Sequence, residues 1–224
     1  MFERIFEPLR EYKIWNWFRH CPVCRQSFPP MEWLCAHCLQ KLKKNYLEPQ
    51  NLMRMQSSFR HLRLIDWTQE NDSFIRAVLM SLKGPRRSLF FQVLAQEFFM
   101  RVQYLPSLKR DHPLILIPCP SRDSLKDHGF FWAQALGEQF GLSVYQALSP
   151  LGSHVSQKTK KLSLRGDRKF LLKEDKQNLK NKNLIFVDDV VTSGATAKAA
   201  YLAFGKPESF MVWSIFWRRN FNQC

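Results

Sequence analysis

One stretch constrains this chain more than any other: residues 183–196, which read NLIFVDDVVTSGAT. Its four apolar residues Leu184, Ile185, Phe186 and Val187 predict a short buried strand. Two adjacent carboxylates, Asp188 and Asp189, stand at the carboxyl end of that strand. Val190 then leads into small and hydroxyl residues, Thr192, Ser193, Gly194, Ala195 and Thr196, that open a helix. In open α/β sheets ligands bind at that edge. Backbone N–H groups at a helix start, with a glycine allowing close approach, form an anion cradle. A carboxylate pair beside such a cradle suits a ligand with a phosphate at one end and a sugar diol next to it. The bland alternative is a helix cap preceded by two exposed aspartates.

The second constraint lies near the N-terminus. Cys21, Cys24, Cys35 and Cys38 read C-x2-C-x10-C-x2-C, the spacing of a metal site. Two such turns aim four sulfurs at one point. Four thiolates leave no position for water, so the expected role is a structural Zn²⁺ site. Binding would supply folding energy that a segment of about 40 residues lacks on its own. The competing reading is two redox or disulfide pairs. His20 and His37 stand beside the ligands and could replace one.

Around these motifs, apolar runs alternate with helical patterns. Extended segments are expected at 59–67, 114–118, 142–148, 183–187 and 209–216. Helices are expected at 71–82, 88–105, 128–140 and 194–204. This alternation predicts an α/β domain with a mostly parallel sheet flanked by helices. Pro49 and the polar residues 50–58 suggest a boundary. The division is then an N-terminal helix and cysteine module over 1–48 and an α/β domain over 59–224. Residues 1–18 carry Phe2, Ile5, Phe6 and Leu9 at helical spacing, but Glu3, Glu7 and Glu11 interrupt them. That predicts an amphipathic helix docked on the protein's own body rather than a signal peptide or membrane anchor. No run reaches the roughly 18 apolar residues of a membrane-spanning helix. The expected location is cytoplasmic.

The chain carries 34 Lys and Arg against 19 Asp and Glu, a net charge of +15 over 224 residues. Such an excess points to an anionic partner or substrate. It is concentrated in residues 151–183, with 10 Lys or Arg against 3 acidic residues. A long polar segment inside a compact domain is commonly a functional loop or a solvated face.

Taken together, these residues resemble a known family. Residues 183–196 resemble the phosphoribosyl pyrophosphate (PRPP) motif of type I phosphoribosyltransferases. The cysteine module joined to it resembles the ComF family. Further matches are SLKG at 81–84, IPCP at 117–120, HGF at 128–130 and TKKLSLRGDRKF at 159–170. His128 stands where the family usually has Arg, and Phe131 and Trp132 stand where Asn and Gln are usual.

The resemblance implies a type I phosphoribosyltransferase-like parallel sheet and a PRPP ligand with Mg²⁺. Asp188 and Asp189 would hold the ribose hydroxyls, and the segment Val190, Thr192, Ser193, Gly194, Ala195, Thr196 the 5′-phosphate. Cys119 and Arg122 would face pyrophosphate, and Lys160 and Arg165 would close over it. It also implies handling of single-stranded DNA in natural transformation, alongside DNA-uptake proteins. The +15 charge favours nucleic acid independently. Two classes therefore stay open: an enzyme or sensor acting on PRPP, with nucleotide metabolism or salvage as the variant without DNA, and a nucleic-acid module on the same scaffold.

Overall fold

The computed structural model describes residues 19–28, 34–56, 59–82, 87–103, 112–120, 128–150, 170–173, 179 and 181–218. The expected N-terminal helix, Arg122, and the basic residues Lys160 and Arg165 lie outside the described residues.

A six-stranded sheet organises the molecule. Its strands are β3 (Met53–Gln56), β4 (Phe59–Trp67), β5 (Leu114–Pro118), β6 (Ser143–Val144), β9 (Asn183–Val191) and β10 (Phe210–Arg218). The order across the sheet is β3-β4-β10-β9-β5-β6. Five strands are parallel, and only β3 is antiparallel, against β4. The central strands are near-continuous apolar runs, as burial on both faces demands.

Side chains alternate between the faces. Ile185 and Val187 of β9 pack with α2 (Asp72–Ser81), α3 (Arg87–Val102) and α4 (His128–Phe140). Leu184 and Phe186 pack on the other face with α5 (Ala195–Ala203). Direction explains this split. The β5–α4–β6 crossover runs outward and β9–α5–β10 runs the opposite way, so right-handed crossovers put α4 and α5 on opposite faces. The order therefore reverses between β5 and β9, where a crevice opens at the strand ends.

The expected strand at 114–118 has the bounds of β5, and the helix at 128–140 those of α4. The strand expected at 183–187 is longer, because β9 continues through both aspartates to Val191. Its ladder with β10 carries it: Ser214 faces Asp188 and Trp217 faces Val191. The segment at 142–148 divides into β6 and β7 (Leu148–Pro150), and β7 pairs antiparallel with β8 (Phe170–Leu172).

The cysteine region comprises β1 (Arg19–His20), β2 (Ser27–Phe28) and α1 (Ala36–Lys43). It shares a core with the sheet. Leu34, Leu42 and Tyr46 belong to the same buried cluster as Leu62, Phe91, Phe98 and Trp213. Polar contacts add to it: Lys43 and Arg101 both reach Glu97 of α3, at 3.4 and 2.7 Å. The polar segment read as a boundary runs along the outer edge of β4. Tyr46 bridges Ile65, Leu47 N–H donates to Leu64 C=O, and Arg63 N–H donates to Leu52 C=O. Residues 53–56 then pair with 59–62. No described helix is long and apolar enough to cross a membrane.

Candidate functional site

Two centres concentrate chemistry. The first is the cysteine cluster. Cys21 N–H donates to Gln26 C=O and Arg25 N–H donates back to Cys21 C=O, at 2.7 and 2.8 Å. Arg25 takes a left-handed φ of 66° to close this knuckle. The hairpin pair His20–Ser27 anchors its base. Cys35 caps α1, with the Cys38 N–H 3.5 Å from its sulfur. The four Sγ atoms lie within 4.8 Å of one another, and Cys24 and Cys35 are 3.4 Å apart. A tetrahedral site with metal–sulfur bonds of about 2.3 Å needs sulfurs about 3.8 Å apart, so this donor set fits such an ion.

The thiols are free rather than paired as disulfides. Burial pushes the Cys38 thiol well above its ordinary value, and hydrogen bonds with the other three thiols add to the effect. Burial also raises Cys35. For Cys21, burial acts upward but backbone N–H groups of Cys35, Cys24 and Val23 outweigh it, bringing the thiol down to about 7. One thiolate thus forms readily, while Cys35 and Cys38 need a cation to release their protons. The neighbouring histidines stand aside: His20 Nδ1 bonds Arg25 C=O at 2.9 Å and His37 is exposed.

The second centre is the crevice between β5 and β9. β5 pairs with β9 only as far as Pro118–Val187, and Cys119 N–H donates to Val187 C=O at 2.7 Å. Beyond Val187 the backbone of β9 has no β5 neighbour. The aspartates fill that gap: Asp189 N–H donates to Asp188 Oδ1 at 3.0 Å, and Val190 N–H to Asp189 Oδ1 at 2.9 Å. The carboxylates are therefore held by their own strand at the sheet's carboxyl edge, each half-buried.

Gly194 follows as the N-cap of α5 with φ 75° and ψ 5°, a left-handed conformation costly for any residue with a Cβ. Gly194 has no side chain to cap this helix, Ser193 Oγ accepts from Ala195 N–H at 3.4 Å, and Lys198 N–H closes the first turn on Gly194 C=O at 2.8 Å. Thr192 and Ser193 are exposed, Val190, Ala195 and Thr196 half-buried. The site residues Asp188, Asp189, Val190, Thr192, Ser193, Gly194, Ala195, Thr196 and Cys119 thus gather at one edge. The helix start supplies a positive dipole end beside two carboxylates, an arrangement suited to an anion linked to a polyol.

Two features here had no signal in the motif. His128, the first residue of α4, places Nδ1 2.9 Å from Asp189 Oδ2. The two are 61 positions apart in sequence. Gly129 is what permits this: a Cβ there would meet Cys119 O at 3.2 Å and Cys119 Cβ at 3.3 Å, so α4 starts in close contact with the end of β5. The second is a polar row across three strands, Arg63, Ser214 and Asp188, adjacent in register. His61 Nε2 and the Ser214 hydroxyl are 2.8 Å apart, and that hydroxyl donates to Phe216 C=O. Arg63 is paired with Asp66 and lies over the Trp217 ring at 5.0 Å.

No family model matches the chain, and no curated protein matches it.

Proposed function

We propose that this chain is a ComF-like protein whose α/β part has a type I phosphoribosyltransferase-like fold and binds PRPP with Mg²⁺ in the crevice between β5 and β9. The observation that carries the reading is the continuous ligand edge from Asp188 to Thr196, set beside the reversal of strand order.

In this reading the 5′-phosphate sits against the α5 start and the hydroxyls of Thr192, Ser193 and Thr196. Asp188 and Asp189 accept from the ribose hydroxyls. Cys119 and Arg122 face pyrophosphate, and Lys160 and Arg165 come over it to neutralise charge and exclude water. Mg²⁺ supplies charge neutralisation on the pyrophosphate. The four cysteines hold a structural Zn²⁺. The transferred group would be ribose 5-phosphate, with the protein's work being placement and electrostatic stabilisation.

The net charge of +15 supports a further role with single-stranded DNA in transformation. A phosphoribosyltransferase of salvage or nucleotide metabolism would not need that charge. Calorimetric titration of Mg²⁺–PRPP into the metal-loaded protein is the test. Binding tighter than roughly 1 mM that disappears in the Asp188→Asn/Asp189→Asn double variant supports the site. A folded wild type that takes up no PRPP sinks it. For the DNA role, replacing Lys158, Lys160 and Lys161 by Glu is expected to flatten the salt dependence of single-strand binding.

A further inference from the structure

We infer that His128 is the proton acceptor of the crevice, with Asp189 as the group that orients it. The inference rests on the PRPP reading above and deepens it, by naming the residue that takes the proton from the incoming acceptor.

A carboxylate only accepts, so the 2.9 Å contact from Asp189 Oδ2 fixes the His128 proton on Nδ1 in the neutral ring. Nε2 then carries the lone pair. Asp189 is itself fixed, because its other oxygen accepts from Val190 N–H at 2.9 Å. The imidazole is thus held by a held carboxylate, the arrangement that orients a histidine base in hydrolases on unrelated folds. Its side chain is 27% exposed, which leaves the ring reachable from the crevice.

His128 opens α4, and Asp189 meets it from β9. The Phe91 ring of α3 lies 6.1 Å from the imidazole between centroids, Cys119 at the end of β5 meets the adjacent Gly129, and Asp188 precedes Asp189 on β9. α4 carries no other charged residue within its first two turns. With Nδ1 committed to Asp189, Nε2 is the nitrogen that can take a proton from an acceptor in the crevice.

The step balances. An acceptor with an O–H or N–H bond attacks C1 of the ribose. The new C1–O or C1–N bond forms as the C1–oxygen bond to pyrophosphate breaks, and pyrophosphate leaves with that electron pair. The acceptor's proton passes to His128 Nε2 and from there to water. The acceptor class is therefore a neutral group bearing a removable proton, not a preformed anion.

The test uses the full metal-loaded chain with Mg²⁺–PRPP and water as the smallest acceptor. His128→Asn keeps a donor near the Nδ1 position and loses the base. His128→Gln is the second variant in case Asn perturbs folding, and thermal unfolding checks both. Wild type is expected to release pyrophosphate, with a rate that falls as pH drops. The variants are expected to bind PRPP within about 3-fold of wild type, lose roughly 100-fold or more in release, and lose the acidic fall of the pH profile. Equal release by folded variants overturns the inference. So does a wild type that binds PRPP yet releases no pyrophosphate, an outcome that leaves the binding site standing. Absence of PRPP binding overturns the underlying reading, and the inference with it.

Discussion

The cysteine cluster and the strand-end crevice are built on opposite principles. In the cluster, both halves are local. Each pair is three residues apart, and each turn closes on itself, by Cys21 N–H to Gln26 C=O and Cys38 N–H to Cys35 Sγ. Only the meeting of two turns is tertiary. In the crevice almost nothing is local. Asp189 meets His128 because β5 and β9 are neighbours, because α4 starts against Cys119, and because β9 outlasts β5 by four residues. A closed donor set suits an ion that never leaves. An open edge made from separate elements suits a ligand that comes and goes. Yet the two regions share one core through α3, whose Phe98 packs with Trp132 of α4 at 5.7 Å while its Glu97 holds Lys43 of the cysteine region.

The largest expected effect tests that sharing. Removing the metal with a chelator, or Cys38→Ser, is expected to lower the unfolding midpoint of the whole chain by at least about 10 °C, several kcal/mol for a chain this size. Metal content and a thermal melt, read together, check it. A chain that loses its metal and melts unchanged would make the cluster an appendage rather than part of the core.

Trp132→Ala comes next. This ring is fully buried against Phe91 and Phe98, and its loss is expected to cost about 3–5 kcal/mol in urea unfolding. Because it stands between the regions, both metal retention and ligand affinity should weaken. An effect confined to one of them would mean that the two regions are not coupled through this ring. A smaller and more selective change is Gly194→Ala, which forces a Cβ into φ 75° and is expected to cost about 1–2 kcal/mol. Calorimetry should show PRPP binding weakened far more than stability, with metal content untouched.

The smallest effect is a control outside both regions. Asp72 accepts from Arg76 and from the Trp67 indole, and the Arg76 hydrogen bond holds its carboxyl below the usual range. A depressed native value stabilises above the unfolded value and fades as pH falls through the native one. Asp72→Asn should therefore unfold slightly earlier than wild type at pH 7, and the gap should close at strongly acidic pH. A gap that persists at low pH would assign the effect to lost packing instead.

The sequence made some of this legible for identifiable reasons. Residues 114–118 form an apolar run ending in Pro-Cys-Pro, and the strand ends there because a second proline supplies no N–H. The cysteine spacing is a local property and translated directly into four converging sulfurs. What escaped was neighbourhood. Periodicity within a segment says that it is a strand, not which strand lies beside it. So Asp188 and Asp189 read as the polar end of a strand, although the β10 ladder carries that strand past them. Residues 53–56 read as part of a boundary because they stand in a polar stretch that follows Pro49, and the alternation of MRMQ is too short to mark a strand without its antiparallel partner β4. Arg63 and Asp66 gave no motif, and their burial depends on Trp217 arriving from β10.

The segment that lines β4 has a consequence for behaviour in concentrated solution. Between Tyr46 and Gln56 the chain occupies the outer hydrogen-bonding edge of a nine-residue, largely buried strand, and it emerges directly from the cysteine region. The opposite margin of the sheet is only two residues long. Held in place, this strap leaves no lengthy bare strand among the described residues of the sheet for another molecule to copy. Released by loss of the ion, it would uncover β4 as a template for self-association. Metal-depleted preparations should therefore aggregate through strand addition before they unfold.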